Sequence, residues 1–225
     1  MKKSFFCLTV LLLSLVICSS CAQKSDKLGT LIWHGDLLSK NIYLTFDDGP
    51  SNEATEQVLN ILKEHNVKAT FFVLGKKAKK YPEIIKKIRA YGHDLGNHTY
   101  KHVGGLNVTW EIVAKEINDT DKAIKAACGV SPKFFRPPFG FFNYRYFQIA
   151  EKMGYKSVLW TIDAGDWKRL SSGEIESRLA PRVKGGYIIL LHDGGPDRES
   201  MIEALPVIIE KLKSKGYKFE KLSRL

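Results

Sequence analysis

The sequence predicts an α/β chain: an irregular (β/α) barrel with about seven parallel strands, for which a doubly wound open sheet is the rival. Three observations carry that expectation. From Lys40 onward, short apolar runs alternate with longer segments of helical period. Several of the helical segments end on a glycine, at Gly92, Gly129, Gly154 and Gly216, where a left-handed cap is wanted. Five of the apolar runs are followed at once by polar or ionisable residues.

The expected strands lie at about 42–46, 69–74, 93–96, 133–135, 156–162, 187–191 and 217–220. Between the first two, Ala54, Val58, Ile61 and Leu62 share one face of an amphipathic helix with Glu53 and Glu56 in its first turn. Segments 83–91, 109–127, 144–153, 173–183 and 199–215 read as helices in the same way. With 225 residues and 44% hydrophobic content, one domain is the natural count.

The first residues have the layout of a secretory signal: Lys2 and Lys3, an apolar stretch from Phe5 to Ile17, then small residues. That stretch is short for a membrane span of ~20 residues. Residues 1–21 are therefore expected to be a signal peptide, 22–37 a tether and 38–225 the catalytic domain. "CSSC" resembles a loose bacterial lipoprotein box, so a lipidated Cys21 would anchor the chain to a membrane; simple cleavage after Ala22 is the competing outcome. Either way the chain is expected to be exported to the cell envelope, as a monomer. Cys7 and Cys18 would leave with the signal, and Cys128 reads as a small residue at a helix end, so no disulfide framework is available.

The formal charge is +11, and it stays strongly positive without the signal, which removes two lysines and no acid. Such a surface favours anionic neighbours such as acidic wall polymers or lipid headgroups. Nucleic acid is not expected as the partner of an exported chain. Lys76, Lys77, Lys79, Lys80, Lys86 and Lys87 read as a solvated helical face.

In either candidate fold, function sits at the carboxyl ends of the strands. Those ends carry Asp47 and Asp48, then Asn97 and His98 with His102, Arg136, Asp163 with Asp166, and His192 with Asp193. Side-chain alternation along a strand sends Asp47 and Asp48 to different sides, so they have different tasks. His98 and His102 are four apart, and one helical turn would set both imidazoles on one side. Two imidazoles and a carboxylate make a three-point site for a first-row divalent metal with positions left open. His34, His65 and His93 read as structural or surface residues, whereas His192 closes an almost wholly apolar strand.

"TFDDGP" (45–50), "HTYKH" (98–102), "RPPFG" (136–140), "DAGDW" (163–167) and "LLHD" (190–193) resemble the five ordered motifs of the polysaccharide deacetylases, carbohydrate esterase family 4. The resemblance implies a distorted (β/α) barrel and metal-dependent removal of acetyl groups, usually from N-acetylglucosamine in a glycan such as peptidoglycan, chitooligosaccharide or exopolysaccharide. It makes Asp47 the base and gives the metal to Asp48, His98 and His102, with zinc expected and cobalt or nickel as substitutes. The N–H of Phe139 would face the oxyanion, and His192, oriented by Asp166, would protonate the leaving group. Arg136 would pair with Asp47, while Trp167, Leu190, Pro138 and Phe139 would meet the substrate. Asp163 and Asp193 receive no role. An O-acetyl esterase of the acetyl-xylan type, a non-catalytic carbohydrate-binding relative and a small-molecule amide hydrolase are the alternatives.

Overall fold

The computed structural model describes residues 31–105, 108–140 and 144–225. The expected signal peptide, Cys7, Cys18, Cys21 and the first part of the tether lie outside the described residues. In order, the elements are β1 (Leu31–Ile32), β2 (Asn41–Asp47), α1 (Ala54–Glu64), β3 (Thr70–Val73), α2 (Gly75–Lys80), α3 (Pro82–Ala90), β4 (Asp94–Asn97) and α4 (Trp110–Cys128). The second half has β5 (Phe134–Phe135), α5 (Tyr144–Lys152), β6 (Lys156–Val158), β7 (Ile162–Asp163), α6 (Ser172–Leu179), β8 (Ile188–His192), α7 (Glu199–Ser214) and β9 (Lys218–Glu220).

All these strands pair in parallel, in the order β1-β6-β5-β4-β3-β2-β8-β7, with β9 joining β2 at its start. This is the distorted (β/α) barrel. Its alternation is plain in β2, where Ile42, Leu44 and Phe46 pack outward in the main core with Val58, Leu62, Leu205 and Ile209. The odd-numbered residues point the other way: Tyr43 packs with Phe72, Phe134, Val158 and Ile188, and Thr45 and Asp47 continue its row toward the carboxyl end. Burial of residues on both sides explains why β2 reads as a nearly continuous apolar run.

Two expectations are corrected. The single strand foreseen at 156–162 is two strands, because β6 pairs with β5 and β1 while β7 pairs with β8. The link between them stays bonded to both sides: Leu159 N–H donates to Ile32 (2.9 Å) and Thr161 N–H to Ile188 (2.9 Å), which draws the far ends of the sheet together. The tether is also shorter than foreseen, because Leu31 and Ile32 pair with Ser157 and Val158 inside the domain. A two-residue strand has too little pattern to be seen from sequence.

The helix ends follow the reading closely. Gly92, Gly129, Gly154 and Gly216 all have φ between 79 and 83°, and Ser171 and Glu174 close a capping box on α6. No described helix is long and apolar enough to cross a membrane.

Candidate active site

The polar strand ends converge on a cavity of ≈ 550 Å³ lined by Asp47, Asp48, His98, His102, Trp167 and His192, among others. A larger one of ≈ 700 Å³, beside α2 and α4, is lined by Lys79, Lys115, Glu116 and Lys122 and holds none of the strand-end acids or histidines. The chemistry is placed in the smaller cavity for that reason.

Asp47 ends β2 and is 3% exposed. Its Oδ1 accepts from Arg136 Nη1 at 2.7 Å, and its Oδ2 lies 3.7 Å from His98 Nε2. Arg136 is fully buried: it also donates to Thr45 Oγ1 and to the carbonyls of Val158 and Leu159, the residues where the sheet breaks. Burial pulls the guanidinium pKa down while Asp47 opposes it. The pair is therefore an enclosed one and not a surface contact, and removing either partner would leave the other buried without its counter-charge.

Asp48 does not leave the strand by simple alternation. Its φ is 69°, a left-handed step that turns its carboxylate toward the same cavity as Asp47. Asp48 Oδ1 stands 3.3 Å from His102 Nε2 and 3.5 Å from His98 Nε2, and this buried oxygen has no hydrogen-bond partner among the described residues. An orphaned carboxylate oxygen between two imidazole nitrogens costs free energy unless something cationic fills the gap. Burial raises the Asp48 pKa, but the imidazoles of His98, His102 and His192 and the Lys77 ammonium outweigh it and leave it below the ordinary value.

The "HTYKH" segment is not the helical turn expected. It is a loop with Thr99 at φ 69° and His102 at φ 62°, and the two rings are 5.0 Å apart. A carboxylate from α4 shapes it: Glu116 Oε2 accepts from the N–H groups of Tyr100 (2.8 Å) and Lys101 (2.6 Å), while Asn97 Oδ1 accepts from Thr99 N–H (3.0 Å). His98 Nδ1 lies 2.7 Å from the Arg136 carbonyl, which only accepts, so Nδ1 carries the proton and Nε2 offers a lone pair. Burial, then the neighbouring His98, lowers the His102 pKa to about 4, keeping that imidazole neutral. Asp48, His98 and His102 thus form a donor set that fits a divalent cation, with ligand atoms all within 4.8 Å of one another.

On the opposite wall, His192 Nδ1 is 2.9 Å from Asp166 Oδ1, and Asp166 Oδ2 accepts from the His192 N–H (2.8 Å) and from Arg198 Nη1 (3.2 Å). Burial opposes a charge on His192, yet the hydrogen bond and charge of Asp166, with Asp47 and Asp48, hold its pKa above the ordinary 6.5. Phe139 sits at φ 60°, 64% exposed, with its ring edge-on to His102 at 4.4 Å. Leu190 and Trp167, expected to meet the substrate, line the cavity. Pro138 does not: it is buried and is not among the lining residues.

Residues 34–158, more than half the chain, match the family described as polysaccharide deacetylase. The chain belongs to that family. A peptidoglycan-N-acetylglucosamine deacetylase of Bacillus cereus is 37% identical over 205 residues, which are 90% of this chain and 96% of that protein. A solved peptidoglycan N-acetylglucosamine deacetylase superposes with a TM-score of 0.84 at 36% identity, covering 87% of this chain and 92% of the other. A pseudoenzyme of carbohydrate esterase family 4 from Bacillus anthracis superposes at 0.80 with 32% identity, covering 87% and 68%.

Within this deacetylase, four supports escaped the sequence reading. Arg198 holds Asp166, Glu116 holds the histidine loop, and Lys77, foreseen on a solvated face, instead turns in to donate to the Asp48 carbonyl at 2.8 Å. Asp193, fully buried, accepts from Thr55 Oγ1 at 2.6 Å beneath Gly49. Its burial pushes its pKa up to about 7. Only Asp193 carried a signal, as the acid that follows His192. Asp163 also gains a place: its carboxylate accepts from Trp167 Nε1 (3.2 Å) and Gly165 N–H (2.7 Å), fixing the tryptophan at the cavity edge.

Proposed function

We propose that this deacetylase is a metal-dependent hydrolase that removes acetyl groups from N-acetylglucosamine units of a glycan at the cell envelope. One observation supports it above the rest: the unpartnered Asp48 Oδ1 faces two imidazole nitrogens, with the Arg136-held carboxylate of Asp47 beside them. Asp48, His98 and His102 would hold zinc, or cobalt or nickel in its place. A bound divalent cation supplies Lewis acidity toward an acyl oxygen and makes water acidic near neutral pH.

The rest of the reaction falls to the chain. Asp47, held by Arg136, takes the proton from the attacking water. The Phe139 N–H donates to the oxygen that becomes negative in the tetrahedral intermediate. His192 delivers a proton to the departing amine; Asp166 keeps its Nδ1–H in place and holds its pKa above the ordinary value. Trp167 and Leu190 wall the acetyl pocket, and the exposed Phe139 ring lies at its rim.

Acetate release from N-acetylchitooligosaccharide, peptidoglycan and acetyl-xylan, with and without chelator, tests the reading. Chelator-sensitive release from the first two supports it. Release from acetyl-xylan alone would make the enzyme an O-acetyl esterase. No release from any substrate after loading with zinc, cobalt or nickel would make it a non-catalytic relative.

A further inference from the structure

The pole opposite the active site is built differently. All strands run parallel, so their first residues gather at one end, and four of them start on or just after an exposed lysine, Lys40 (β2), Lys133 (β5), Lys156 (β6) and Lys218 (β9), while the exposed Lys184 lies four residues ahead of β8. None of the five forms an ion pair with an acid among the described residues. The helices run back to the same end, and their last turns add Lys63 and Lys125, together with Lys211, which pairs with Glu176 at 3.0 Å. Acids stand here too: Asp94 is paired with Lys221 at 3.1 Å, the Asp36 carboxylate accepts from Leu38 N–H at 2.9 Å, and Glu64 and Glu220 lie at the ends of α1 and β9.

This pole also has an apolar component. Leu38 is 96% exposed and Leu37 52%, on a turn that packs against Gly185 and Gly186 ahead of β8. Beside it lies a cavity of ≈ 500 Å³, with Ile32, Phe134, Leu222 and Leu225 in its lining and Lys133 and Lys156 among them. Cationic heads around an apolar hollow, next to two unprotected leucines, match an amphiphile whose anionic group sits above hydrocarbon.

We propose that this pole seats the protein on an anionic phospholipid surface. The lysines face the phosphodiester headgroups, Leu37 and Leu38 enter the boundary of the acyl region, and the catalytic cavity opens away from the bilayer. A soluble polyanion would use the lysines but would draw nothing from the leucines or the apolar hollow. The surface is therefore assigned to lipid rather than to a polymer of glycerol phosphate, which carries the same phosphodiester group.

The test is partitioning of the full chain onto vesicles of phosphatidylcholine alone and of phosphatidylcholine mixed equally with phosphatidylglycerol. The measured quantity is the ratio between the two, because the apolar N-terminal segment contributes to both. The ratio is expected to exceed one, to fall with salt, and to drop about five-fold for each lysine lost in Lys133→Gln/Lys156→Gln/Lys184→Gln/Lys218→Gln. Leu37→Ser/Leu38→Ser, whose apolar contribution the ratio cancels, should lower the partitioning onto the mixed vesicles itself. A second quadruple variant, Lys79→Gln/Lys86→Gln/Lys115→Gln/Lys122→Gln, makes the same change of charge elsewhere. An equal drop in both quadruple variants would overturn the proposal, as would a ratio near one for the parent chain. Poly(glycerol phosphate) binding that displaces the vesicles and ignores the leucine pair would assign the surface to a polymer instead. Unchanged far-UV circular dichroism and melting in each variant separates loss of contact from loss of fold.

Discussion

The two ends of this barrel meet the same backbone demand with different residues. At the catalytic end, Asp48, Thr99, His102, Phe139, Arg169 and Asp197 adopt positive φ, whereas at the opposite end Asn66 is the one non-glycine to do so among the described residues. The chain reversals at that far end are otherwise left to glycine, as at Gly92, Gly129, Gly154 and Gly216. A left-handed non-glycine residue costs about 1–2 kcal/mol. The fold accepts that cost where the side chain itself is needed, as for Asp48 and His102, and avoids it elsewhere. Charge divides along the same axis: acids and histidines gather around the cavity at one end, while lysines stand in solvent at the other.

The sharpest way to break this contrast is at Asp47. Asp47→Asn should lower acetate release by about 10²–10⁴-fold while the protein still binds zinc, and His98→Ala should abolish zinc binding itself. Full activity in Asp47→Asn would remove the base assignment. Next comes the enclosed ion pair: Arg136→Met strands a buried carboxylate, and denaturant titration should show a loss of about 3–5 kcal/mol. A loss under about 1 kcal/mol would mean that Asp47 is solvated after all.

A supporting residue should weaken the metal without touching it. Glu116→Gln removes the carboxylate charge from the histidine loop, and zinc affinity measured by competition with a chromogenic chelator should fall about 10–100-fold. Asp166→Asn tests the other wall. Without the carboxylate, burial dominates and the His192 pKa falls; since the proton donor must be charged, the alkaline limb of the pH–rate profile should move to lower pH. An unmoved limb would assign it to another group. The smallest effect belongs to the lysine end, where Asn66→Gly relieves a left-handed residue and should stabilise by no more than about 1 kcal/mol, with kcat unchanged.

How much of this was legible depended on range. The strand-end residues could be picked out because an apolar run followed by an acid or histidine is a local pattern, and the periods of strands and helices are local too. Leu31 and Ile32 were misplaced in a tether because their only pattern is their pairing with β6, more than a hundred residues away in sequence. Lys77 was assigned to solvent because it falls in a lysine-rich helical run, and nothing along the chain says that its ammonium reaches the Asp48 carbonyl. The histidine spacing led to two rings that do meet at one cavity, but through a helical turn that is a loop in the structure. Four residues of separation brings two rings together in a helical turn or in a loop pinned by Glu116, and spacing alone does not distinguish them.

The sequence by itself determined which side chains end the parallel strands, and so which groups could meet at one end of a barrel. Whether Arg136 was a solvated ion or an enclosed one, whether Asp48 followed the strand or left it, and which side chain held Asp166 were decided by tertiary structure alone. The physical reason is that desolvation, left-handed turns and pairings such as Asp166 with Arg198 depend on what distant segments place around a group, and a chain read in order carries no record of that environment.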